Sequence, residues 1–151
     1  MRIGLISDTH GLLRPEALHA LAGVEQIIHA GDVGAPEVIA ALRAIAPVHA
    51  VRGNNDAGAW ARKLPLRLDL RIGGARIHVL HDIAELALDP AAERADVVVS
   101  GHSHKPGIVQ REGTLLVNPG SAGPRRFKLP VTVGYLLIAA GTARAEIRSL
   151  I

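Results

Sequence analysis

Four short apolar runs in this sequence stop abruptly at Asp, His or Asn beside glycine. They are Ile6-Ser7-Asp8-Thr9-His10-Gly11, His29-Ala30-Gly31-Asp32, Val51-Arg52-Gly53-Asn54-Asn55-Asp56 and Val99-Ser100-Gly101-His102-Ser103-His104. His81, directly after the run Arg76 to Leu80, has the same layout. In open α/β sheets the carboxyl ends of parallel strands converge on one crevice, and ligands sit there. Asp8, His10, Asp32, Asn54, His81, His102 and His104 would line it, a set of hard oxygens and imidazoles without a thiolate, suited to divalent Mn, Zn, Fe, Ni or Co. The set exceeds what one structural zinc takes, so two metal ions are the simplest reading. Such a pair, about 3.5–4 Å apart, clamps the attacking and departing oxygens of an in-line displacement. A carboxylate must bridge the pair, and we assign Asp32 to that place. The Asp-x-His and His-x-His spacings read as extended backbone, in which alternate side chains point the same way. Glycine before Asp or Asn lets the chain turn sharply and approach the ions. Singly, each Asp or Asn would be a helix cap or turn residue; four clusters at four strand ends make a joint signal.

The elements that must position these residues follow from periodicity. Short β-branched runs alternate with Ala/Leu-rich segments opened by Pro-Glu, the βαβα pattern of a largely parallel sheet. Strands are expected at Ile3 to Ser7, Gln26 to Ala30 and Val48 to Arg52, with helices from Pro15 to about Ala22 and from Pro36 to about Ile45. Proline at the first helical position loses no hydrogen bond, and glutamate suits the positive helix end. Beyond Trp60 the apolar residues Leu66, Leu68, Leu70 and Ile72 alternate with polar ones, predicting a half-buried strand that turns at Gly73-Gly74 into Arg76 to Leu80. A short helix is expected over Pro90 to Arg94, a buried strand at Val97 to Val99, a hairpin of Gly107 to Gln110 with Thr114 to Val117, and a final pair, Val131 to Ala139 with Ala143 to Leu150. The expected fold is α/β, a four-layer αββα sandwich of two mixed sheets flanked by helices, as a single domain over residues 1–151.

Composition narrows the function classes. At 151 residues and 48% hydrophobic, the chain can bury roughly 68–70% of the surface it exposes when unfolded. It has no Cys, so disulfides are excluded. One Trp, one Tyr and one Phe cannot form an extended stacking platform for nucleic acid, and a net charge of +3 gives no strong nucleic-acid signal. The stretch Leu129 to Ala143 is interrupted by Pro130, Gly134 and Gly141 and falls short of a membrane span. No signal-peptide pattern opens the chain, and a cytoplasmic protein with no membrane partner is expected. His19, His49 and His78 are expected to have structural roles, and His29 to be a buried, hydrogen-bonded strand residue. No P-loop or dinucleotide glycine pattern occurs.

The order Asp8-x-His10, Gly31-Asp32, Gly53-Asn54-x-Asp56, His81, Gly101-His102-x-His104 resembles the calcineurin-like metallophosphoesterases. The short length, Asn118-Pro119-Gly120-Ser121 and Pro124-Arg125 look like their small bacterial and archaeal phosphodiesterase branch. The resemblance implies one metal held by Asp8, His10, Asp32 and His104, and a second held by Asp32, Asn54, His81 and His102, Mn being the first choice. It further implies attack on the phosphorus of a phosphate-ester substrate by a hydroxide bridging the ions. Asn54 would also orient a phosphate oxygen, Asp56 would support the site from behind the ligands, and Asn118 and Arg125 would be substrate-binding candidates at the rim, an Arg fork being suited to phosphate. Arg126 and Lys128 read as solvated loop cations. Two positions depart from the pattern. Asn55 stands where larger members have a His, and Asn cannot act as a general acid, so diesters and good leaving groups are favoured. Asp82 stands where glycine is usual, and could be a surface carboxylate, an acceptor for a His N–H or a perturbation of the second metal. The rival reading is a catalytically weak or inactive protein-interaction scaffold on the same fold, as in the eukaryotic retromer subunit. Oligomeric state is open, a homo-oligomer being compatible.

Overall fold

The computed structural model describes residues 1–88, 92 and 94–151. The first sheet is built from β1 (Arg2–Ile6), β2 (Gln26–His29), β3 (Val48–Ala50), β9 (Thr132–Ala139) and β10 (Thr142–Ser149) in the order β10-β9-β1-β2-β3. β1, β2 and β3 are parallel, whereas β9 runs antiparallel to β1 and to β10. The second sheet takes β4 (Arg67–Ile72), β5 (Ala75–Leu80), β6 (Val97–Val99), β7 (Gly107–Arg111) and β8 (Thr114–Asn118) in the order β4-β5-β6-β8-β7. Its centre, β5-β6-β8, is parallel and both edges are antiparallel.

Alternation along each strand separates two apolar layers, because successive side chains leave opposite faces of a sheet. Ile3, Leu5, Ile28, Ala30 and Val51 pack against Ile77, Val79, Val97, Val99 and Val117 between the sheets. The opposite face of the first sheet, with Ile6 and Ile27, packs against α1 (Pro15–Ala20) and α2 (Pro36–Arg43) through Ala17, Leu21, Val38, Ile39 and Leu42. Tyr135, 1% exposed, joins this layer and donates its hydroxyl to the Ala20 carbonyl at 2.6 Å. On the outer face of the second sheet, Leu80, Ala95 and Val98 pack with Leu86 of a 3₁₀ helix, Ile83–Leu88. The four-layer αββα expectation holds, with a thin fourth layer among the described residues.

Most strands and helices lie within two residues of their expected limits. α2 stops at Arg43 and α1 at Ala20, each short of its expected end. The four-residue helix α3 (Ala59–Arg62) and the 3₁₀ helix after His81 were not expected, being too short for an apolar period to register. The helix expected over Pro90 to Arg94 falls largely outside the described residues. No helix among the described residues is long and apolar enough to cross a membrane.

Candidate metal centre

The loops after β1, β2, β3, β5 and β6 bring their polar residues to the gap between the carboxyl ends of the two sheets. Asp8 Oδ1 lies 3.4 Å from His104 Nε2, 3.8 Å from His10 Nε2 and 3.8 Å from His81 Nε2. Asp32 Oδ2 lies 3.2 Å from His81 Nε2 and 3.7 Å from His10 Nε2. A tetrahedron of ligands at ~2.1 Å from an ion has edges of about 3.4 Å, so these separations suit a shared metal. Two groups of candidate ligand atoms result, Asp8-His10-His104 and Asp8-Asp32-His81. Asn54 and His102 form a neighbouring pair, Asn54 Oδ1 lying 3.2 Å from His102 Nδ1, and the His102 ring stands edge-on to that of His81 at 5.2 Å.

Asp8 and His81 are each held by the atom they do not offer. Asp8 Oδ2 accepts from Ser7 Oγ at 2.7 Å and from the His102 N–H at 3.0 Å, and Oδ1 is left buried without a hydrogen-bond partner. His81 Nδ1 donates to the Ala30 carbonyl at 2.7 Å, which fixes its tautomer and leaves the buried Nε2 facing the carboxylates, likewise without an aligned hydrogen bond. Buried polar atoms are seldom left without a partner, so these two atoms, on one gap, are an observation in favour of a cation there. The all-oxygen and imidazole donor set fits a divalent transition metal.

Electrostatics agree. Burial alone would raise the Asp32 carboxyl, but His81, 3.2 Å away, and two hydrogen bonds from Asn55 hold it well below the usual carboxylate range. Burial pushes His81 down, yet Asp32, the Ala30 carbonyl and Asp8 outweigh it and its pKa rises. Burial lowers His104, helped by Arg126 and His10 and opposed by Asp8 and Asp32. A metal entering this gap replaces a proton that the carboxylates favour on His81, so metal affinity increases with pH.

Backbone geometry corrects one expectation. The Asp-x-His and His-x-His pairs are not extended: Asp8, His10, Asp32, His102 and His104 all have left-handed φ, 54°, 46°, 54°, 71° and 63°. Non-glycine residues pay for this region, and such strain gathers at functional sites. The two members of each pair converge because the chain curls around the gap. Close approach then demands glycine. A Cβ on Gly53 would overlap the Asp32 backbone and carboxylate, and one on Gly101 would overlap Ser7 Oγ and lie 2.6 Å from Asp8 Oδ2.

Residues behind the ligands are equally specific. Asp56, 8% exposed, accepts from the N–H groups of Val33 (3.1 Å), Gly34 (2.9 Å) and Gly53 (2.9 Å), clasping the Asp32 loop to the Asn54 loop. Asn55, which the sequence offers only as a missing His, grips Asp32 through its N–H (2.9 Å) and Nδ2 (3.0 Å). Asn118 spends its amide on the Gly101 carbonyl (3.0 Å), Ser103 Oγ (3.1 Å) and the Gly120 N–H (2.9 Å), so it braces the histidine loop. Ser121 Oγ donates to the Asp8 carbonyl at 3.0 Å. The fully buried His29 accepts the Gly31 N–H at Nδ1 (3.1 Å) and faces Thr9 Oγ1 through Nε2 (3.0 Å), tying two ligand loops together. Thr9 donates to the Val33 carbonyl, so Nε2 of His29 carries the proton. His49 and His78 pair with Gln26 and Asp69 within their sheets, and His19 is exposed on α1.

The rim differs from its sequence reading in detail. Arg125 turns its Nε to the Leu129 carbonyl at 3.3 Å, whereas Arg126, which reads in the sequence as a solvated loop cation, shares a depression with His102. Asp82 Oδ1 accepts from Ala84 N at 3.0 Å at the start of the 3₁₀ helix, and its Oδ2 lies 3.9 Å from His102 Nε2.

Sandwich and ligand cluster together define a metallophosphoesterase. The chain belongs to the calcineurin-like phosphoesterase superfamily, whose domain model matches residues 1–141. It is 38% identical to a probable metallophosphoesterase of Methanothermobacter thermautotrophicus, over 97% of this chain and 91% of that one. It is 28% identical to a phosphodiesterase of Methanocaldococcus jannaschii, over 100% of this chain and 99% of the relative. The crystal structure of Vps29 from Chaetomium thermophilum superposes with a TM-score of 0.80 at 20% identity, covering 98% of this chain and 94% of that one, a likeness of fold.

Proposed function

We propose that this chain is a metal-dependent phosphodiesterase that hydrolyses a phosphate ester by in-line displacement at two divalent ions, Mn being the first candidate. The observation that carries the reading is the convergence of five ligand side chains on the unpartnered Asp8 Oδ1 and His81 Nε2. Asp8, His10, Asp32 and His104 would hold one ion, and Asp32, Asn54, His81 and His102 the other. Asp32 is proposed to serve both, a reading supported by its Oδ2 lying 3.7 Å from His10 Nε2 and 3.2 Å from His81 Nε2. Bound there, the ions would supply an activated water at neutral pH and positive charge against the charge that develops on the phosphate.

The chain's own residues do the rest. Asn55 and His81 keep Asp32 ionised and oriented; the Ala30 carbonyl keeps His81 Nε2 free of a proton when a cation is present. Asn54 Nδ2 is proposed to hold a phosphate oxygen while Oδ1 faces the ligands, and Asp56 fixes the loop that carries it. With Asn55 where a proton donor would stand, the departing oxygen leaves without one from that position, which favours diesters with acidic leaving groups over alkyl monoesters.

The test is hydrolysis of bis-p-nitrophenyl phosphate beside p-nitrophenyl phosphate by chelator-stripped protein reloaded with Mn²⁺. Diester turnover that requires metal and is lost in Asp32→Asn supports the reading. An Asp32→Asn protein that keeps both metals and full turnover overturns it. Metal-loaded protein inert towards both compounds would favour an interaction scaffold on the same fold.

A further inference from the structure

Eight non-glycine residues among those described have left-handed φ. Five are the metal-ligand candidates above, and Glu112 and Ala140 sit in the tight β7–β8 and β9–β10 turns, beside Gly113 and Gly141. The eighth is Phe127, at φ 54°. For a bulky side chain this conformation is costly unless the surroundings require it. Phe127 is the only Phe in the chain and is 90% exposed, against the ordinary tendency of its type. Its backbone thus projects the ring outward from the loop that follows Ser121.

Phe127 lines a depression of about 980 Å³ together with His102, so the hollow reaches one of the candidate metal ligands. Leu129 gives it an apolar patch; Lys105, Arg126 and Lys128 give it positive charge, and no acidic residue among those described lines it. A flat aromatic face, an apolar patch and three cations next to a phosphoester centre match a ligand that is part flat ring and part anion. Among phosphodiesters, a nucleotide has that chemistry. A protein partner covering the same face would be expected to bury Phe127 among other exposed apolar side chains, but Leu129 is its one aliphatic neighbour in the hollow and three of the other five are Lys or Arg.

We propose that Phe127 is a specificity residue that stacks on the nucleobase of a nucleotide-derived phosphodiester, with Arg126 and Lys128 drawing the anion towards the metals. This assignment rests on the phosphodiesterase reading above. It does not conflict with the scarcity of aromatic residues, since one ring suffices for one base, whereas a single-stranded platform needs several.

Two diesters with the same leaving group test it: thymidine 5′-(p-nitrophenyl phosphate) and methyl p-nitrophenyl phosphate, each with Mn²⁺-loaded wild type, Phe127→Ala and Phe127→Tyr. Stacking predicts that Phe127→Ala lowers kcat/KM for the thymidine ester between about 5- and 150-fold, mainly through KM, because the base lies away from the bond that breaks. The methyl ester should be hydrolysed unchanged, and Phe127→Tyr should restore the thymidine ester. Thymidine 5′-monophosphate should inhibit methyl ester hydrolysis competitively, with a Ki raised by the same factor in Phe127→Ala. Turnover of both esters with equal effects of Phe127→Ala, or none, overturns this assignment and leaves the phosphodiesterase reading intact. Failure of loaded wild type to hydrolyse either ester overturns both.

Discussion

Removing the Asp56 carboxylate isolates the clasp between the Asp32 and Asn54 loops. Its oxygens accept three backbone N–H groups, those of Val33, Gly34 and Gly53. Val33 and Gly53 are buried, whereas Gly34 is exposed and water can replace its bond. Hydrogen bonds to a charged group contribute about 1.5–3 kcal/mol each, and a buried donor left without an acceptor loses that amount in full. Two such donors put the loss for Asp56→Ala at about 3–6 kcal/mol, a large share of the roughly 5–15 kcal/mol that holds a domain folded. Asp56→Asn is the informative partner. Its Oδ1 can take the position of the oxygen that serves Val33 and Gly53, while its Nδ2 faces the exposed Gly34 N–H donor to donor, so the charge assistance and the Gly34 bond are lost and about 1–3 kcal/mol should go. Urea unfolding of chelator-stripped protein measures both without a contribution from metal binding. An Asp56→Ala protein within 1 kcal/mol of wild type, or an Asn variant as unstable as the Ala variant, would refute the clasp.

Two further outcomes follow from the packing behind the ligands. Burial, chiefly, lowers the His29 pKa from 6.5 to about 3, so the unfolded chain takes up a proton there that the folded protein refuses. Its contribution to stability is intact above about pH 6.5 and is lost as pH falls towards about 3, at about 1.4 kcal/mol per pH unit; urea titrations of wild type and His29→Gln between pH 7 and 4 should differ by that slope, and parallel curves would contradict a neutral, buried His29. Gly101→Ala puts a methyl against Ser7 Oγ and Asp8 Oδ2. The displaced carboxylate should cost about 1–3 kcal/mol of stability and 10–100-fold in Mn²⁺ affinity by calorimetry, and wild-type affinity would show that the approach is not tight.

The strand-end clusters were legible because one rule, the convergence of parallel strands, places residues far apart in sequence at one crevice. Asp8, His10, Asp32, His81 and His104 were brought together as that rule requires, and the two-layer core followed from period-2 alternation. What spacing could not reveal was side-chain direction in loops. The Asp-x-His spacing suggests extended backbone, but left-handed φ at both residues aims them. The same local freedom decides that Arg126 rather than Arg125 enters the hollow by His102. Asn118 braces the histidine loop and Asn55 grips Asp32. Both use contacts between residues distant in the chain, for which residue type alone carries no signal. A count of one Phe likewise said nothing of where that ring stands.

The central claim is a pair of metal ions on this set of ligands. Crystals grown with Mn²⁺, measured at the manganese absorption edge, should give two anomalous peaks about 3.5–4 Å apart, one among Asp8, His10, Asp32 and His104 and one among Asp32, Asn54, His81 and His102. A single peak, or none in that gap under saturating Mn²⁺, would contradict the two-metal account.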